Sequence, residues 1–150
     1  MEVELPLVLY EFLGGIAAGS LWAAAIADFR KVQEKICKRC SITAFISLVL
    51  AAVSVVVHLT HPEHSINALY DLSSCNPSSW LVREVIFMSL LGLFTLIYIL
   101  QFVFGLLGRR PVGLLGIIAG LAYTASTGMV HVVPGQPAWN TPLMPLMHVT

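Results

Sequence analysis

The chain has 150 residues, of which 57% are hydrophobic and 11% charged, and its formal net charge is zero. Soluble domains carry roughly 25% charged residues, and a chain of about 150 residues hides only about 70% of the surface it exposes when unfolded. That excludes an ordinary water-soluble domain, and with a net charge of zero nothing suggests a nucleic-acid partner. An all-α integral membrane protein remains.

The first predicted span is Leu5–Ala27. Glu2 and Glu4 precede it, and its apolar part is long, so it lacks the basic start and short core of a signal peptide. Glu11, Gly14 or Gly15, Ala18 and Trp22 recur at helical spacing, with Gly15-x-x-x-Gly19 beside them. Glu11 falls about two turns inside the span, where an ionisable group is costly unless it hydrogen-bonds across a bundle. A basic loop follows, with Arg30, Lys31, Lys35, Lys38 and Arg39 around Cys37 and Cys40. A single C-x-x-C with no second pair is half a zinc site, so these cysteines read as reduced thiols, and no metal site is assigned.

The second span, Ile42–Leu59, places Thr43, Ser47, Ala51, Ser54 and His58 at spacings of three and four. It runs into His61 and His64, but Pro62 disfavours helix at the residue before it, so the three histidines do not share one metal-binding face. Residues 63–72 are expected to form a short interfacial helix, and 76–79 a turn into the third span, Trp80–Leu107. That span aligns Glu84, Met88, Leu91, Thr95 and Tyr98. Arg109 and Arg110 precede the fourth span, Val112–Val133, whose face is Gly113, Gly116, Gly120, Thr124, Thr127 and His131. Residues 134–150 read as an outer segment or the start of a fifth span, within one membrane domain over 1–150.

Both short loops are basic, and only Arg83 falls on the other side. The positive-inside rule puts those loops in the cytoplasm and both termini outside. The expected fold is therefore a four-transmembrane-helix bundle with His58 and Glu84 at its outer end. Neutral histidine accepts a proton near physiological pH, and a carboxylate near the surface can pass it to water. This equips the pair to deprotonate a lipophilic hydroxyl donor. His58 and His131 at similar depth offer an alternative, axial ligation of a haem b. A purely structural anchor is a further alternative.

Three motifs resemble the membrane anchor subunits of anaerobic dimethyl sulfoxide reductases, which are related to polysulfide-reductase-type anchors. His58–Pro62 running into Asn67–Ala68–Leu69 is similar to that family's His-Leu-Gly-x-Pro…Asn-x-Leu segment. Ser79–Glu84 resembles its Ser-Trp-Leu-x-x-Glu, and Gln136–Leu143 its QPAWNTPL element; the start, Glu4–Val8, is also similar. Thr60 stands where the family has glycine, and His64–Ser65 where it has arginine. The resemblance implies the first half of an eight-helix architecture in a prokaryotic cytoplasmic membrane. It implies menaquinol oxidation near the outer face, with His58 and Glu84 as the reacting pair and Asn67, Trp80 and Arg83 in the quinol site. Electrons would pass to a four-cluster iron–sulfur subunit and then to a molybdopterin subunit, with no haem or metal in the anchor.

Overall fold

The computed structural model describes residues 5–31, 33–58, 80–105, 108–130, 143, 147 and 149. The helix expected over 63–72, the turn at 76–79, His61, His64, Asn67, Cys75, His131 and most of 134–150 lie outside the described residues, as do the side chains of His58 and Trp80.

Four helices follow in chain order: α1 (Leu5–Phe29), α2 (Glu34–His58), α3 (Trp80–Phe104) and α4 (Arg109–Val130). Each is long and apolar enough to cross a bilayer, and among the described residues there is no strand. This is a multi-pass membrane protein, and the bilayer itself demands helices because backbone groups in hydrocarbon must be satisfied within the segment.

The helix ends differ from the predicted spans for local reasons. α2 starts at Glu34, eight residues before the expected Ile42. Hydropathy stops at the charged stretch, but Lys35, Lys38 and Arg39 are good helix formers, and Glu34 suits the positive end of the helix dipole. α3 stops at Phe104 rather than Leu107, because Gly105 turns into the left-handed region at φ 62°. α4 begins at Arg109, before the expected Val112; Pro111 falls in its first turn, where no intrahelical N–H is needed. Lys31 closes α1 at φ 56°, with its N–H on the carbonyl of Asp28 at 3.1 Å.

α1 packs between α2 and α4, and α3 packs between α4 and α2, so α1 and α3 face each other across the bundle. Two tyrosines bridge that diagonal. Tyr10 on α1 donates to Glu84 on α3 at 2.8 Å, and Tyr98 on α3 donates to the carbonyl of Ala24 on α1 at 3.3 Å. Both pairs are 74 residues apart in sequence, so α1 and α3 run parallel in constant register. The chain therefore goes up, down, up, down. The basic loops lie at one end, and Arg83 and Glu84 at the other.

The bundle is lined by small and hydroxylic residues, while leucine, isoleucine, valine and phenylalanine face outward. This suits lipid, which is as apolar as leucine, so helices gain from close approach rather than from hiding large side chains. On α4, Gly116 and Gly120 let Leu21 and Trp22 of α1 lie against the backbone; a Cβ there would come within 2.7 and 2.5 Å of them. Buried hydroxyls turn back on their own helix, as with Ser41 on the Cys37 carbonyl at 2.7 Å and Thr95 on that of Leu91 at 2.7 Å.

The predicted faces of α3 and α4 are those found inside: Leu91, Thr95 and Tyr98, and Gly113, Gly116, Gly120, Thr124 and Thr127. Two faces need correction. On α2, Thr43 is exposed, and the buried line is Cys37, Ser41, Ala44, Ser47, Leu48 and Ala51. Steps of four residues advance about 40° beyond a full turn, so two such steps back from Ala51 leave the interior at Thr43. On α1, Gly15 and Gly19 point outward with open space around them, whereas Gly14 faces in.

Candidate functional site

Glu84 lies one turn inside α3, and only 3% of it is exposed. A buried carboxylate in a span requires partners, and two other helices supply them. The Tyr10 hydroxyl of α1 and the Thr127 hydroxyl of α4 both donate to the same oxygen, Oε1, at 2.8 Å. Three helices thus converge on one oxygen atom. A hydroxyl that donates to a carboxylate can also turn to accept from a carboxylic acid, so the cluster can accommodate either protonation state.

Tyr123, one turn before Thr127 on α4, completes the cluster. Its ring meets that of Tyr10 edge to face, with centroids 6.4 Å apart and planes at 86°. Its hydroxyl rests against Gly14 of α1, in the space a Cβ would take. Among the described residues that buried hydroxyl has no hydrogen-bond partner. It borders a hollow of about 40 Å³ lined by Glu11, Gly15, Tyr123, Thr124 and Thr127, a volume on the scale of one water molecule.

Glu84 opens α3 as expected, but it is buried among three helices rather than near the surface where the sequence reading put it. Arg83, the residue before it on the helix, is half-buried. His58 is the last residue of α2, at the same end of the bundle, and Trp80 is the first of α3; the side chains of both, and Asn67 entirely, are outside the described residues. Glu11 is half-buried and lines the hollow. Tyr10 and Tyr123 were not singled out by sequence reasoning. A usable signal was present: Tyr10, Gly14, Ala17, Leu21 and Ala24 alternate at steps of four and three, the face that packs inward.

At the opposite end, Arg109 of α4 pairs with Glu34 of α2 at 3.4 Å and lies 4.6 Å above the ring of Phe102. Cys37 is buried and Cys40 half-buried on α2, both as free thiols. Among the described residues no group of three or more histidine, cysteine, aspartate or glutamate side chains gathers as a metal site.

No curated protein and no solved structure matches the chain. A family model described as "Polysulphide reductase, NrfD" matches residues 3–150. A membrane bundle of four spans, matched along nearly its whole length, belongs to the polysulphide reductase NrfD family of membrane anchors.

Proposed function

We propose that this chain is the quinol-oxidising membrane anchor of a reductase complex, and that Glu84 is its proton acceptor. The observation that carries the reading is the buried Glu84 carboxylate, held by hydroxyls from two other helices near the end of the bundle. An ionisable group inside a span is costly and is retained where it handles protons, ions or ligand. A polar handle within apolar walls suits a quinol, an amphiphile with two hydroxyls on a lipophilic body.

Bound menaquinol supplies two electrons and two protons on becoming quinone. Glu84 takes one proton, while Tyr10 and Thr127 hold its Oε1 in place and turn their hydroxyls as it titrates. His58, at the same end, accepts the hydrogen bond of the other hydroxyl and takes the second proton. Both electrons leave through a docked four-cluster iron–sulfur subunit towards a molybdopterin subunit, which reduces the terminal substrate. Asn67, Trp80 and Arg83 belong to the quinol surroundings in this reading. The basic loops at the far end support, by the positive-inside rule, a Glu84 end on the outer side of the cytoplasmic membrane.

The test compares Glu84→Gln and His58→Ala with the unaltered protein in membranes containing the partner subunits. Glutamine keeps a carbonyl oxygen for the Tyr10 and Thr127 hydroxyls, so the bundle should assemble while the proton acceptor is lost. Quinol-linked reduction should fall by about 100-fold or more, and a fluorescent menaquinol analogue should lose saturable binding. Normal turnover in both variants would sink the reading. Binding no better than to empty membranes would favour a purely structural anchor, and sharp bands in a dithionite-reduced spectrum would favour haem ligated by His58 and His131.

A further inference from the structure

The end of the bundle remote from Glu84 holds a second polar site. α1 and α3 end there, α2 and α4 begin, and between them lies a cleft of about 440 Å³. That volume suits a small ligand. Its charged lining is balanced: Asp28 and Arg110, beside the ion pair of Glu34 with Arg109. A bare anion would have to lie beside two carboxylates, and a bare cation beside two guanidinium groups. A ligand carrying both charges meets neither penalty.

The two halves of such a ligand have distinct partners. The first turn of α4 presents the N–H groups of Arg109 and Arg110 with the positive end of the helix dipole, Pro111 having none, and Gly108 before it offers no side chain to cap them. This end suits a phosphate. Gln101 also lines the cleft, is only 8% exposed, and its amide oxygen has no hydrogen-bond partner among the described residues. An orphaned buried acceptor requires a donor, and a primary ammonium has three N–H donors. The apolar body of the ligand has a place too. Val103 and Phe104, which follow Phe102 of the lining, face outward at 61% and 68% exposure. The cleft thus lies at the level where apolar helix gives way to charged loop, the depth of lipid headgroups.

From this combination we infer that the cleft binds the headgroup of a phospholipid with a primary ammonium, its phosphate at Arg109, Arg110 and the α4 N-terminus and its ammonium at Gln101 and Asp28. The acyl chains run along the outer face of α3. The site is independent of the quinol reading and would hold for an anchor with no redox role.

The test is native mass spectrometry of the full chain released from micelles doped with phosphatidylethanolamine, phosphatidylcholine or phosphatidylglycerol, with soluble glycerophosphoethanolamine as a fourth arm. One phosphatidylethanolamine should be retained about tenfold more tightly than either other lipid, the effect of one hydrogen bond to a charged group. Phosphatidylcholine lacks the N–H donors, and phosphatidylglycerol lacks the positive charge. Gln101→Leu should erase the preference. Arg110→Gln, at an exposed position that does not threaten folding, should lower retention several-fold. Equal retention of the three lipids, or a preference unchanged in both variants, overturns the proposal. A preference for phosphatidylglycerol would make this a simple anion site, and equal binding of the soluble headgroup would make it a site for a free amino-phosphate; each also overturns it.

Discussion

Removal of the two hydroxyls on Glu84, singly and together, tests the site most directly. Tyr10→Phe removes one donor and preserves the edge-to-face ring pair with Tyr123. Thr127→Val removes the other at constant shape, along with a 3.1 Å bond to the carbonyl of Tyr123. A hydrogen bond to a charged group contributes about 1.5–3 kcal/mol. Each single change leaves one donor on Oε1, so the low end applies: about 1.5 kcal/mol, or roughly tenfold in quinol-linked turnover. The double change removes both hydroxyl donors to Oε1, and its cost should exceed the sum of the singles by about 1 kcal/mol, because groups in one network couple. The assay is menaquinol-dependent reduction in membranes, paired with thermal unfolding of each purified variant in detergent. Strictly additive effects, or singles within twofold of the unaltered protein, would refute the idea that these hydroxyls jointly hold the carboxylate.

The remaining predictions concern packing. Gly14→Ala drives a Cβ into the Tyr123 hydroxyl and should cost about 1–3 kcal/mol, whereas Gly15→Ala meets open space and should be neutral or raise stability by up to about 1 kcal/mol; thermal melts of the pair read the difference. Tyr98→Phe loses the 3.3 Å bond to the Ala24 carbonyl and should cost about 0.5–1.5 kcal/mol with no change in affinity for a quinol analogue. Gly105→Ala forces a side chain into φ 62° and should lower stability by about 1 kcal/mol.

The spans were legible in the sequence because crossing a bilayer takes a long apolar run, and the basic loops broke those runs at 30–39 and 109–110. Glu84 was legible as the carboxylate that opens the third span near His58, but its burial was not, because the sequence put it near the surface. Nor were its partners legible. A tyrosine near the end of a span has the same local pattern whether it anchors at the interface or donates into the core. Glu11 drew attention by its charge, while its neighbour Tyr10, about 100° around the helix, carries the buried contact. The match of Tyr10 with Glu84 and Thr127 depends on the register of three helices, which periodicity within any one of them does not contain. The exposed Thr43 shows the same limit on a smaller scale: repeated steps of four track a residue pattern faithfully while drifting off the helix face.

The two tyrosine bridges across the diagonal have a mechanical consequence. Tyr10–Glu84 and Ala24–Tyr98 are 14 residues apart on both helices, which is about 21 Å along the axis. Sliding α1 along α3 by one turn would break both at once. The bridges nevertheless differ in kind. Ala24 offers a backbone carbonyl that no proton alters, whereas Glu84 offers a carboxylate whose bonding can change. Release of the Glu84 bridge would leave the far one as a fulcrum, and 1 Å of opening at Glu84 would then tilt α1 against α3 by only about 3°. The parallel pair is built as a lever with one fixed end and one chemically addressable end.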